Sequence, residues 1–157
     1  MSNLQPHWPM TRAENDKWGK HMADMIWPDK DKFIKNAQCC VIVDSAAKEV
    51  RAIFAFHEWD EDAGVIQMSG ASKGRWSTRG IFRALYGYVF DQLGCQLVMN
   101  RNDPENTRLI DMLTRLGYQK YIIPRLRGRN KCDVVMTLTS EDWSKHPINK
   151  EFSHGNI

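Results

Sequence analysis

The stretch from Gly70 to Tyr118 decides the fold of this chain of 157 residues. It opens with a glycine- and arginine-rich loop, GASKGRWSTRG at 70–80, which runs into the helical pattern IFRALYGYVFDQLG at 81–94. A short apolar run, CQLVMN at 95–100, precedes DPENTRLIDMLTRLGY at 103–118. Because backbone amides at the start of a helix bind anions, a basic loop at this point suits the phosphates of a nucleotide-like ligand.

Both segments after the loop have the spacing and the end signals of amphipathic helices. The first repeats its apolar residues at i, i+1, i+4, i+7 and i+8 from Ile81, and Gly94 is placed to end it. The second has Asp103 as its predicted N-cap, Pro104 at the first helical position and Gly117 at its end. Each helix is therefore predicted to bury one face.

The rest of the chain alternates between helical and strand patterns. A helix is predicted over Thr11–Trp27, and strands are predicted at 38–44, 50–59, 65–71, 96–100, 118–124 and 132–139. A helix between two strands implies a right-handed crossover, so we expect parallel central strands. The predicted fold class is α/β, with a mixed central β-sheet and helices on both faces.

Composition and length indicate one globular domain without a membrane span. Hydrophobic residues make up 42% and charged residues 26% of the chain, and no apolar run approaches the ~20 residues that a membrane span needs. The N-terminus lacks the basic and apolar regions of a secretory signal, which predicts a cytoplasmic protein. We expect a single domain over 1–143 and a polar C-terminal tail over 144–157.

Neither the cysteines nor the histidines are spaced as metal ligands. The four cysteines form no paired spacing, and the five histidines are scattered, so we expect buried reduced thiols and no metal site. The net charge of +3 permits a nucleic-acid partner but supports it weakly. The basic stretch 125–131 is open to several interpretations: a solvated hairpin tip, or a surface for an acidic partner, a nucleic acid or a ribose phosphate.

The order of these parts resembles the GCN5-related N-acetyltransferase (GNAT) superfamily. The pyrophosphate loop of that family has the form Gln/Arg-x-x-Gly-x-Gly/Ala, and residues 75–80, RWSTRG, match it at both ends but carry Thr78 in place of the first glycine. The phrase 76–94 and the Leu-Gly-Tyr sequence at 116–118 are most similar to the branch that acetylates ribosomal proteins. In architecture the resemblance covers 11–143.

The resemblance implies a GNAT-like fold and transfer of an acyl group, from acetyl-CoA or another acyl-CoA, to an amine of a small molecule or protein. It implies that the loop holds the pyrophosphate, that the strand before it lies beside the thioester, and that an asparagine bonds to the amide arm of the cofactor. The cofactor-binding residues implied in this way are Met68, Ser69, Gly70, Arg75, Trp76, Ser77, Thr78, Arg79, Gly80 and Asn106.

Two groups that many family members use for proton transfer are missing from the matching positions. A tyrosine acid usually follows the asparagine by seven residues, where this chain has Leu113. The strand before the loop offers Gln67 and Ser69 but no carboxylate. The remaining candidates are Glu58, Asp60 and His57 at the end of the neighbouring strand, and Tyr118 or Tyr121 after the last helix. Of these, Glu58 is our candidate base, although a merely solvated carboxylate explains it too.

Two classes of function therefore stay open. The first is an acyl-CoA-dependent N-acyltransferase acting on an amine that the sequence does not identify. The second is an inactive GNAT-fold binding or assembly module with a protein partner, such as a bacteriophage virion or head-assembly protein, found in the host cytoplasm and in the virion. Thr78, Leu113 and the surplus of six tryptophans and eight methionines favour the second class.

Overall fold

The computed structural model describes residues 3–149, which form an α/β fold with seven strands of a mixed sheet and four α-helices. The predicted fold class is thus confirmed. The elements are β1 Leu4–His7, α1 Arg12–Ile26, β2 Gln38–Asp44, β3 Glu49–Asp60, β4 Val65–Ser72, α2 Arg79–Gly87, β5 Leu97–Asn102, α3 Thr107–Leu116, β6 Gln119–Gly128, β7 Lys131–Thr139 and α4 Ser140–Lys145. A π-helical turn, Tyr88–Gln92, continues α2, and a 3-10 turn, Pro147–Asn149, follows α4.

The chain divides into two compact units, which we describe separately. Unit 1 contains residues 3–59 and 66–93, and unit 2 contains residues 60–65 and 94–149 of the described chain. The strand order in unit 1 is β1-β2-β3-β4, and the order in unit 2 is β5-β7-β6.

In unit 1, helices cover both faces of the strands. Alternate residues of a strand point to opposite faces. On β3, Ile53 and Ala55 pack in one core cluster with Met22 of α1. Phe56, the residue after Ala55, points the other way, and its ring lies 5.0 Å from that of Tyr88, which directly follows α2. Helix α1 begins where predicted, with the Thr11 side chain accepting a hydrogen bond from the Glu14 amide.

In unit 2, β7 lies between two antiparallel partners. Val98 of β5 pairs with Leu138 of β7, and Ile122 of β6 pairs with Val134 of β7. The register of β6 shifts between Ile123 and Gly128, which marks a bulge in this edge strand. The predicted helix end at Gly117 is confirmed, because its φ of 111° places it in the left-handed region that ends many helices.

Two local predictions were wrong, and two elements were missed. Helix α3 begins at Thr107 because the Asp103 carboxylate accepts from the Glu105 amide at 3.0 Å, which forms a turn and leaves Asn106 as the N-cap. Most of the predicted basic loop is strand, since β6 extends to Gly128. Strand β1 and helix α4 were not predicted at all.

The described residues carry no sign of a metal site or a membrane span. Among residues 3–149 no three His, Cys, Asp or Glu side chains are grouped to hold a metal, and none of the helices is long and apolar enough to cross a bilayer. The four cysteines are free thiols, buried except for the half-buried Cys132. The predicted limits at 143 and 144 stay a prediction, and the tail residues 150–157 lie outside the described residues.

Candidate functional site

Thr78 caps the helix that follows the glycine-rich loop. Its hydroxyl accepts from the Ile81 amide at 3.3 Å, and its carbonyl accepts from the Phe82 amide at 3.0 Å. A threonine N-cap satisfies one of the amides that a helix leaves unpaired at its start. Thr78, which replaces the first glycine of the family pattern, therefore stabilises the start of α2.

Trp76 fixes the loop to the strands of unit 1. Its ring meets Phe54 of β3 edge-on at a centroid distance of 4.8 Å, and Phe82 of α2 at 5.5 Å. Such edge-to-face pairs each add about 0.5–1.5 kcal/mol beyond the burial of their area. The exposed Arg75 and Ser77 on either side are thereby held at the entrance to α2.

The two glycines that bracket the predicted binding segment, Gly70 and Gly80, differ in the space around their Cα atoms. A Cβ atom on Gly70 would lie 2.7 Å from Cδ1 of Phe54, so packing of that ring excludes any larger residue. A Cβ atom on Gly80 would meet no heavy atom of the described chain within 4 Å. The exposed Gly80 thus leaves open space at the first turn of α2.

Ser69 and His57 form a hydrogen-bonded pair between the two strands of the β3–β4 hairpin. The distance from Ser69 Oγ to His57 Nε2 is 2.9 Å, and both side chains are half-buried. The other ring nitrogen, Nδ1, is buried and has no hydrogen-bond partner among residues 3–149. Burial lowers the pKa of His57 below its usual 6.5, and the nearby Glu58 carboxylate only partly opposes this effect.

Glu58 lies next to this pair but is exposed to solvent. Its φ of 53° is unusual for a residue with a side chain and marks an irregularity in β3. Met68, also predicted to line the site, is buried with 8% of its surface exposed and points to the face of β4 opposite Ser69. The structure thus brings Ser69 into contact with His57, and it leaves Glu58 in solvent.

Asn106 belongs to unit 2 and is described within it. Its side-chain oxygen accepts from the Leu109 amide at 3.4 Å as the N-cap of α3. Leu113, where many GNAT enzymes carry a tyrosine, is buried with 6% exposed. The predicted contact of Asn106 with the amide arm of a cofactor stays a prediction.

The pairing of His57 with Ser69 was not predicted from the sequence. The two residues are 12 positions apart, and the register of the hairpin decides which side chains meet. A usable signal did exist, because a turn at Asp60–Gly64 places residues near 57 opposite residues near 68.

Similarity to known proteins is confined to solved structures. No protein-family model and no curated protein sequence matches the chain. Mutant forms of the spermidine/spermine N-acetyltransferase SpeG from Vibrio cholerae superpose with a TM-score of 0.69 and 11% identity, over 92% of this chain and 99% of that one. The ribosomal-protein-S5-alanine acetyltransferase from Vibrio fischeri gives a TM-score of 0.67 and 10% identity, over 91% and 96%.

A GCN5-related N-acetyltransferase from Brucella melitensis is also similar, with a TM-score of 0.62 and 21% identity, over 93% of this chain and 65% of that chain. Identities this low establish the fold and nothing finer. The chain has the fold of the GCN5-related N-acetyltransferases.

Proposed function

We propose that this protein is an acyl-CoA-dependent N-acyltransferase that transfers an acetyl or related acyl group to an amine. The observation that carries the proposal is the start of α2, where Thr78 caps the helix and Gly80 leaves the first turn open. Amide groups and the dipole at a helix start attract an anion, and an absent side chain lets a pyrophosphate approach the backbone. The similar structures are acetyltransferases, which supports the same interpretation.

Two regions of unit 1 have separate roles in this proposal: the start of α2 binds the phosphates, and β4 lies beside the acyl group. In our proposal the amides at Gly80, together with Arg75 and Arg79, bind the phosphates, and β4 places Ser69 and Gly70 beside the acyl group. The cofactor supplies the activated thioester when it is bound. The proton of the substrate's ammonium group must then be accepted by a side chain, for which Glu58 and His57 are the candidates.

Two matched glycine variants test the proposed phosphate contact. Gly80→Ala and Gly87→Ala both add a methyl group to the α2 segment, and neither glycine has a positive φ. Each exchange should leave stability unchanged or raise it by up to ~1 kcal/mol. We expect Gly80→Ala alone to weaken acetyl-CoA binding, measured by isothermal titration calorimetry, by about tenfold or more (~1.4 kcal/mol).

Equal affinity of the two variants would refute the role of Gly80. A wild-type protein that binds no acetyl-CoA at millimolar concentration would refute the enzyme altogether. Glu58→Gln separately tests the sequence-based candidate base, since unchanged turnover of an amine panel in that variant would eliminate Glu58.

A second function is favoured by one observation in unit 2. Strand β6 exposes large apolar side chains, with 63% of the surface of Ile122 and 53% of that of Tyr121 accessible. Exposed apolar residues on an edge strand are typical of a contact surface for another protein. If acetyl-CoA does not bind, we propose instead an inactive binding or assembly module, of the kind found in bacteriophage particles.

A further inference from the structure

The hydrogen bond between Ser69 and His57 gives β4 contact with a titratable group, which its own sequence does not contain. No carboxylate lies on β4, but the Ser69 hydroxyl is in hydrogen-bond contact with a titratable ring at 2.9 Å. Both residues belong to unit 1, on the neighbouring strands β3 and β4, so strand pairing holds the donor and the acceptor in place. Serine alone is a poor base, whereas serine backed by imidazole can pass a proton on.

The surroundings of the ring restrict proton movement to one atom. Nδ1 is buried and unpaired within residues 3–149, so protons do not reach it readily from solvent. Nε2 is in contact with Ser69 Oγ. A proton that reaches the ring from outside therefore arrives at Nε2, the atom that contacts the serine hydroxyl.

Burial of the ring, opposed by a single nearby charge, favours a neutral imidazole at pH 7. Burial lowers the pKa of His57, and the charged group that opposes this effect is Glu58 on the same strand. On the neighbouring strands, Ser69 and Gln67 of β4 and Gln38 at the start of β2 are uncharged. Neutral imidazole is the form that can accept a proton.

We propose that Ser69 and His57 together accept the proton of the substrate's ammonium group, an assignment that rests on the proposed acyltransferase function. The ammonium group gives one proton to Ser69 Oγ while the hydroxyl proton of Ser69 moves to His57 Nε2. The products are a neutral amine, a serine hydroxyl and an imidazolium, and no covalent bond forms to either side chain. Ser69 is the catalytic residue that touches the substrate, and His57 is the positioning residue that holds the proton.

The relay requires a particular tautomer, which can be tested without any activity. For Ser69 to donate to Nε2, neutral His57 must carry its proton on Nδ1. Nitrogen-15 NMR of the full chain, labelled at histidine, distinguishes the two tautomers and follows the titration of His57. We expect the Nδ1–H form at pH 7.5 and a midpoint below 6.5. A neutral Nε2–H form, or an imidazolium at that pH, would overturn the relay.

The pH dependence of turnover tests the same pair in catalysis. His57→Gln keeps a polar group near the Nε2 position but does not titrate, and Ser69→Ala removes the hydroxyl. We expect each variant to lower kcat/KM by about 100-fold or more and to lose the acidic limb of the pH profile, and we expect His57→Gln to leave acetyl-CoA affinity unchanged. Ser72→Ala, on the exposed end of β4, is the control and should retain both.

The outcomes separate the two proposals. If the wild type binds acetyl-CoA and acylates an amine while His57→Gln keeps the acidic limb, the relay alone is overturned. If the wild type does not bind acetyl-CoA, the acyltransferase function is overturned and the relay with it.

Discussion

Two polar side chains on strands, Asp133 of β7 in unit 2 and the half-buried His57 of β3 in unit 1, differ in how fully they are hydrogen-bonded. In unit 2, Asp133 is completely buried, and its Oδ2 and Oδ1 accept from Nε of Arg101 at 2.6 Å and of Arg127 at 2.8 Å. In unit 1, His57 has one bonded nitrogen and one buried nitrogen without a partner in the described chain. A saturated group fixes structure, whereas an incompletely bonded one costs stability and is often retained for chemistry.

The contacts of Asp133 also give a role to part of the basic stretch 125–131, for which the sequence allowed several interpretations. Arg127 was a candidate for binding an acidic partner, yet it pairs with a carboxylate of its own chain. Arg101 adds a bond from Nη2 to the Leu126 carbonyl at 2.9 Å, which ties the bulged end of β6 to β5. The basic charge available to a partner is therefore smaller than the sequence indicates.

The largest predicted effect comes from removing the saturated group. Asp133→Ala leaves two arginines facing each other without a counter-charge, and breaking a fully buried pair in this way costs about 3–5 kcal/mol. Because the side chains of Arg101 and Arg127 are 46% and 33% exposed and can regain water, we expect a loss of about 2–3 kcal/mol in the free energy of unfolding.

Urea denaturation measures this loss, with Asp111→Ala, on an exposed position of α3, as the control. A loss no larger than that of the control would mean that Asp133 does not hold β6 in place.

Removing the incompletely bonded group should cost much less. His57→Leu loses a single hydrogen bond, to a half-buried serine, and it also removes an unpaired buried nitrogen. We expect the free energy of unfolding to change by less than about 1 kcal/mol in the same denaturation experiment. A loss as large as that of Asp133→Ala would erase the contrast and make His57 a structural residue.

The smallest effect is the pH dependence of stability that His57 contributes. Its folded-state pKa lies below the unfolded value near 6.5, so above pH 6.5 both states are neutral and the group contributes nothing. As pH falls through 6.5 the unfolded chain binds the proton first, and stability declines until the folded-state pKa is passed. Wild type should therefore lose more stability between pH 7.5 and about 5 than His57→Leu does, as measured by urea denaturation. Parallel curves for the two proteins would contradict this prediction.

The sequence predicted strands with a clear apolar pattern well, and it failed where tertiary pairing or two competing caps decided the structure. Strand β2 was predicted at its observed limits, and β3 and β4 within one residue, because apolar patterns are local. Strand β1 was missed, since Leu4–His7 is a strand only through its pairing with β2. The cap of α3 was misplaced because Asp103 and Asn106 are both good N-caps, and the turn at Asp103 decided between them.

The sequence by itself determined the α/β fold and pointed to the loop before α2, since glycine spacing, helix caps and apolar periodicity act over a few residues. Only the tertiary structure showed that Gly70 packs against Phe54 and that the space beside Gly80 is empty. It also showed that His57 contacts Ser69 and that Arg127 pairs with Asp133. Each of these depends on which strands pair and in what register. The turn at Asp60–Gly64 narrows the register for His57 and Ser69, but burial over the whole chain decides which side chains finally meet.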